Sequence, residues 1–456
     1  MLDLDTAAEQ IGAGRRGANA SFGGVTTDSR EVARGDLFVA LRGERFDGHA
    51  YVDVALKAGA AGALVSDADA VRTHNAGLIL VDDTLAALGR LAAAWRNRFD
   101  LPLIGITGSS GKTTVKDMVA AVLRVHAGDA SVLATSGNLN NAIGLPLMLL
   151  RLRSQHRYAV IEMGMNHLGE IRYLTNLARP TVAVINNAGT AHIGELGSRE
   201  AIAQAKGEIY EGLQVGGAAL INADDRFADY WRGLNNGRKV VEFGIERPAQ
   251  VQGRLRGSVL EVRAAGEQYS VQLRVLGEHN LRNALAACAV GHALGIPAEA
   301  IAGGLGGYTG AKGRLQAKTA LAGGRVIDDT YNANPDSMLA AIAVLSAMPG
   351  TRILVLGDMG ELGANARALH MEIGAAARRA GIDRLLALGE LSAAAVAAFG
   401  AGAEHFADID GLCTRLEAAL TGKETVLVKG SRFMRMERVV ERLVHGEAAA
   451  AAAGGH

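Results

Sequence analysis

Cysteine is almost missing: Cys288 and Cys413 are the only two in 456 residues. Both fall inside apolar helical patterns and read as core thiols of a reducing compartment rather than a disulfide or a metal site. A charge imbalance is missing too. Lysine plus arginine number 47, and aspartate plus glutamate 47. Nothing in that balance points to wholesale binding of nucleic acid or anionic membrane. No apolar run reaches the length of a membrane span. The N-terminal MLDLDTAAEQ is acidic and has no apolar h-region, so it does not read as a signal peptide. What remains is a globular, cytoplasmic protein with chain enough for about three ordinary domains.

What is present is organised around Leu103–Thr114, LIGITGSSGKTT. Leu103, Ile104 and Ile106 form an apolar run that predicts a buried strand. Gly108, Ser109, Ser110 and Gly111 make a turn, and Lys112, Thr113 and Thr114 open a helix continuing over Val115–Val125. Strand, glycine-rich turn, lysine-hydroxyl and helix is the arrangement that cradles phosphate. Backbone N–H groups and a helix N-terminus surround the anion, Lys112 adds a charge, and Thr113 offers a hydroxyl to Mg²⁺. The strict motif places its first glycine where Ile106 stands, and Gly105 lies one position early.

Around this stretch the chain divides into α/β segments. Residues 1–100 alternate short strands and helices, with Thr84 a candidate N-cap. Two polar turns there, Thr27–Arg30 and Phe46–His49, suit a phosphate or sugar, or serve as capped turns. Residues 101–312 alternate strand and helix as in a parallel sheet with helices on both faces, where ligands bind beyond the carboxyl ends of strands. Lys239–Leu276 changes to short alternating runs, predicting an antiparallel meander. Glu162 leaves an apolar strand, as a Mg²⁺ ligand or a helix-capping carboxylate would. By themselves, His192 reads as a loop histidine and Lys206 as a solvated helical lysine. Asn138 and Asn141 precede an apolar helix, as caps or substrate contacts. Residues 313–446 form a second doubly wound series. Its strands end in DDTYNANP, GDMGELG and KGSR, three polar loops on one sheet edge. Tyr331 is placed to stack on a base, and the neighbouring acids to hold a ribose hydroxyl or a metal. The tail, residues 447–456, is alanine-rich and reads as disordered or a frayed helix end.

GITGSSGKTT, YAVIEMG, NNAGTAHIGELGS, KGEIY, GEHNLRNALAA, GRLQ and DDTYNANPDSM occur in that order. Over nearly the whole chain except the tail, this resembles the Mur ligases, ATP-dependent amide-forming enzymes of peptidoglycan precursor synthesis. DDTYNANPDSM, GDMGELG, TTDSR and FDGH are similar to the branch of that family that adds D-alanyl-D-alanine. The resemblance implies an N-terminal domain for the UDP end of the substrate, a central P-loop ATPase and a Rossmann-like C-terminal ligase domain. It implies a monomer that joins D-alanyl-D-alanine to UDP-N-acetylmuramoyl-tripeptide through an acyl phosphate, using ATP and Mg²⁺. Gly108–Thr114 would hold the ATP phosphates, and Thr113, Glu162, His192 and a carbamylated Lys206 the metals. Asn283 would lie on the adenine side. Arg314 would reach the γ-phosphate, and Asp329, Asn332 and Asn334 would close on the nucleotide. Ser29, Arg30, Asp47 and Gly48 would read the UDP-sugar. Two alternatives remain at this point: another amide ligase of the superfamily, such as the third-residue-adding enzyme or a folylpolyglutamate synthetase, or a nucleotide switch that makes no bond.

Overall fold

A computed structural model describes residues 1–44 and 46–446; the alanine-rich tail lies outside them. Each of the three larger sheets is assembled from the apolar runs of its own stretch of chain. The first has five strands, in the order Gly14–Arg16, Leu78–Leu80, Gly62–Val65, Asp36–Val39 and Gly24–Thr26. It is parallel except for the Gly14–Arg16 edge. Helix Thr84–Arg96 leads out of this unit, capped by Asp83 rather than by Thr84. The Asp83 carboxylate is one residue better placed, accepting from the amides of Leu85 and Ala86.

That helix also joins the first unit to the second. Trp95 donates its indole N–H to the Leu152 carbonyl at 3.1 Å. The buried Arg96 guanidinium donates to the carbonyls of Ala178, Phe99, Leu101 and Arg179. Leu4, Leu64, Leu88 and Trp95 share one continuous apolar core with Leu103, Leu145 and Ile161 of the next unit.

The central sheet has nine strands. Strand Leu103–Thr107 is buried at every residue and runs parallel between Val182–Ile185 and Tyr158–Glu162. The register sets Ile106 beside Glu162 and Val184, so the three strands end together. The Lys112–Ala127 helix buries Val115, Met118, Val119 and Val122, the i, i+3, i+4, i+7 stripe, against the Glu278–Ala293 helix. The expected meander is shorter than its alternating pattern suggests. Lys239–Gly244 continues the parallel sheet beside Ala218–Asn222, and only Val251–Arg256, Val259–Ala264 and Glu267–Gln272 pair antiparallel with one another. Val240, Val241 and Glu242 of that strand are only partly buried, so its pattern does not distinguish the two pairings.

The third sheet has six strands, parallel apart from its Gln316–Thr319 edge. The carboxyl ends of Arg325–Asp329, Thr351–Gly357 and Glu424–Lys429 carry the three polar loops and face the carboxyl ends of the central strands.

Candidate active site

A cavity of about 1040 Å³ lies between the central and C-terminal sheets. Ser109–Thr114 lines one wall, and Asp329, Tyr331–Asn334 and Glu361 line the other. The phosphate loop is held in shape by residues that local motif reading does not single out. Asn187 accepts from Ser109 N–H through its carbonyl and from Ser110 N–H through its side chain, both at 3.0 Å. Asn186 and Asn187 donate to the Ser110 carbonyl. The Ser109 and Ser110 amides are therefore committed within the protein. The amides facing an anion are those of the first helical turn, at Lys112, Thr113 and Thr114. Gly111 has φ +77°, and a Cβ there would lie 2.4 Å from Oδ1 of Asn283. Asn283 accepts from Asn186 at 2.9 Å, which locks it against the loop.

Lys112 donates to the Gly108 carbonyl at 2.7 Å. Burial lowers its ammonium pKa, Arg314 lowers it further, and Glu162 opposes both. Thr113 donates its hydroxyl to Oε2 of Glu162 at 2.8 Å, and Asn140 donates to Oε1 at 2.8 Å. Glu162 is thus a fixed carboxylate next to a hydroxyl, not a helix cap. Among the described residues no three His, Cys, Asp or Glu side chains gather as a metal cluster. One carboxylate and one hydroxyl nevertheless suit Mg²⁺, which keeps waters and takes its remaining oxygens from phosphates.

Lys206 departs from its solvated reading: it is 1% exposed. It lies on the buried face of helix Arg199–Gly207, with Ile202, Ala203 and Ala205. Among the described residues it makes no ion pair, and burial first, then the charge of Lys112, push its pKa well below the ordinary lysine value. His192 has a left-handed backbone at φ +65°, and its Nδ1 lies 2.8 Å from Oε2 of Glu361 without hydrogen-bond alignment. His192 and Lys112 hold the Glu361 carboxyl below its ordinary value, against partial burial.

Besides the His192–Glu361 pair, hydrogen bonds at three places join the two walls among the described residues. Arg314 donates to the Thr113 hydroxyl at 2.8 Å. Oδ2 of Asp336 accepts from the Thr190 N–H at 2.7 Å and hydroxyl at 2.8 Å. Gly194 N–H donates to the Glu361 carbonyl at 3.1 Å. The Arg314 guanidinium lies 4.3 Å from the Tyr331 ring centroid, so one face of that ring is covered by an arginine rather than offered to a base. The acids beside it are engaged too. Asp329 pairs with buried Lys429 at 2.6 Å, and Asp328 pairs with Lys318 at 2.7 Å.

Other expected residues divide between caps and the cavity. Asn334 caps helix Pro335–Ser346 in a capping box with Ser337, and Asn332 gives its carbonyl to Lys429 at 2.9 Å. Asn141 accepts from the amides of Ile143 and Gly144 just ahead of helix Gly144–Leu149; with Asn138 it also lines the cavity. Ser29, Arg30, Asp47 and Gly48 do not line the cavity. Arg30 is held by Asp28 at 2.6 Å, and Asp47 accepts from His49 N–H while its carboxylate sits 2.5 Å from the imidazole. Cys288 and Cys413 are buried, free and outside the cavity.

Family profiles match three successive parts of the chain: the Mur ligase family catalytic domain over residues 21–96, the Mur ligase middle domain over 106–291, and the Mur ligase glutamate ligase domain over 313–432. The UDP-N-acetylmuramoyl-tripeptide--D-alanyl-D-alanine ligase of Escherichia coli (strain K12) is 43% identical, covering 94% of this chain and 95% of that protein. The protein of the same name in Bacillus subtilis (strain 168) is 38% identical, over 92% and 93%. The crystal structure of MurF from Acinetobacter baumannii superposes with a TM-score of 0.89 at 35% identity, covering 97% and 98% of the two chains. That of MurF ligase from Thermotoga maritima in complex with ADP gives 0.82 at 29%, over 94% and 98%.

Proposed function

Because the chain belongs to the Mur ligase family, we propose that it is the ATP-dependent ligase joining D-alanyl-D-alanine to UDP-N-acetylmuramoyl-tripeptide. The observation that carries this reading is the placement of a phosphate loop, a fixed Glu162–Thr113 pair and the opposite domain's Arg314 around one cavity. No helix is long and apolar enough to cross a membrane among the described residues, and we place the reaction in the cytoplasm.

A carboxylate is a poor acyl donor. Phosphoryl transfer from ATP to the tripeptide carboxylate gives an acyl phosphate and ADP. The first-turn amides and Lys112 receive the phosphates, and Arg314 adds charge from the facing domain. Mg²⁺, held by Thr113 and Glu162 with His192 nearby, would offset charge on the phosphoryl oxygens. The free amine of the dipeptide then attacks the acyl carbon; the amide forms while phosphate and a proton leave. Water also attacks acyl phosphates, and the contacts at Thr190, Gly194 and Thr113 close the C-terminal domain over the cavity and limit its entry. Burial and the charge of Lys112 disfavour the ammonium form of Lys206, and a neutral amine there would add CO₂, yielding a carbamate and a proton. Bicarbonate labelled with ¹³C should then give a protein-bound carbamate resonance that Lys206→Met lacks. Ser29, Arg30, Asp47 and Gly48 would read the UDP end on the N-terminal surface.

The test supplies ATP and UDP-N-acetylmuramoyl-tripeptide and varies the amine. D-alanyl-D-alanine should accelerate ADP release and yield a product heavier by the dipeptide residue. ADP without a new amide would instead identify a nucleotide switch.

A further inference from the structure

The dipeptide carries a positive charge at its amino end, and the cavity it would enter is rich in cations. Lys112, Arg282, Arg314 and Lys429 line it. A dipeptide ammonium approaching the acyl phosphate needs an anion to hold it, and almost every acid on the wall is occupied. Glu162 accepts from Thr113 and Asn140. Glu170 accepts from the amides of Asn166 and His167. Asp329 is paired with Lys429, and Asp336 with Thr190. Glu361 differs from all of these. Its one close side-chain partner among the described residues is the His192 ring at 2.8 Å, and its side chain is 52% exposed toward the cavity.

Its backbone is also unusual. Glu361 sits at φ +62°, a left-handed conformation uncommon for any residue but glycine. The Gly194 amide clamps its carbonyl, and Gly194 packs so close that a Cβ there would lie 2.6 Å from the Gly363 nitrogen. The loop therefore fixes the carboxylate on the C-terminal wall, facing the phosphate loop across the cavity. We propose that Glu361 is the receptor for the ammonium of the incoming dipeptide, setting where the amine stands before it attacks. This rests on the ligase reading above. Glu361 binds and orients the nucleophile and takes no part in phosphoryl transfer.

The experiment separates the two half-reactions. Hydroxylamine, a small nucleophile uncharged at neutral pH, intercepts an acyl phosphate as a hydroxamate without needing an ammonium site. Wild type, Glu361→Gln and Glu361→Gly are compared, the glycine variant being suited to the left-handed backbone. Losing one charge-assisted contact should raise the KM for D-alanyl-D-alanine about 10- to 100-fold in both variants. The KM for ATP and the hydroxamate rate should stay within about twofold of wild type. An unchanged dipeptide KM overturns the proposal. So does a hydroxamate rate that falls in step with amide synthesis, because it would put Glu361 in the phosphoryl step. Wild type giving neither hydroxamate nor amide would defeat the ligase reading itself, and this inference with it.

Discussion

Asp336 offers the sharpest test of how the two walls are held together. One of its carboxylate oxygens accepts from both the amide and the hydroxyl of Thr190, at 2.7 and 2.8 Å. Bonds to a charged acceptor contribute about 1.5–3 kcal/mol each. The two share one oxygen and the site is only partly buried, so water replaces some of that on opening. A net loss of about 2 kcal/mol follows for Asp336→Asn, or about 30-fold in the closed-to-open ratio. Solution scattering with a nonhydrolysable ATP analogue should show a larger radius of gyration than wild type, and turnover at saturating substrates should fall about as far as the closed population. Asp336 also lies in the first turn of helix Pro335–Ser346, where a negative charge opposes the helix dipole and contributes about 0.3–1 kcal/mol. Thr190→Val separates the effects, since it removes the hydroxyl and leaves the helix untouched. If Asp336→Asn keeps wild-type dimensions and turnover within twofold, or Thr190→Val shows no opening at all, the contact does not hold the domains and the reasoning fails.

Asn187→Ala removes three side-chain bonds to Ser110 and should raise the KM for ATP about 5- to 30-fold while leaving the melting temperature nearly unchanged; ATP titration and differential scanning read the two separately. Lys206→Met should abolish turnover yet stabilise the fold in bicarbonate-free buffer. A lysine whose folded pKa is depressed binds a proton more readily when unfolded, so it destabilises the native state most below its folded pKa. The penalty fades as pH rises toward the unfolded value of 10.5. The variant's gain in melting temperature should therefore shrink between neutral and alkaline pH, and a gain independent of pH would contradict the burial argument.

The parts of this site visible in the sequence are those that neighbours along the chain determine. LIGITGSSGKTT announces a strand, a turn and a helix because apolar run, glycine and lysine-hydroxyl are contiguous, and Glu162 is legible as an acid ending a buried strand. What holds them is not contiguous. Asn187 reaches Ser110 across 77 positions and Asp336 reaches Thr190 across 146, and no local pattern specifies such pairings. Lys206 illustrates the opposite failure. Its helical neighbourhood is polar enough to suggest solvent, and only the way its helix packs puts it inside with Ile202, Ala203 and Ala205. Asp83 and Thr84 differ by one residue, within the ambiguity of any helix start. Asp328, Asp329 and Tyr331 look like ligand groups because polar residues at a strand's end usually face a ligand. Here Lys318, Lys429 and Arg314 claim them first.

The continuous core that runs from Leu64 through Trp95 to Ile161, with Arg96 tying off four carbonyls at the seam, bears on how such a molecule changes over generations. The final third meets its neighbours largely through hydrogen bonds and loop tips, so recombination can exchange it as a cassette and supply a new amine donor at modest risk to folding. The opening third has no such freedom. Any replacement must bring an apolar surface matched to Leu145 and Leu103, so new specificity at that end has to arise by substitution in place.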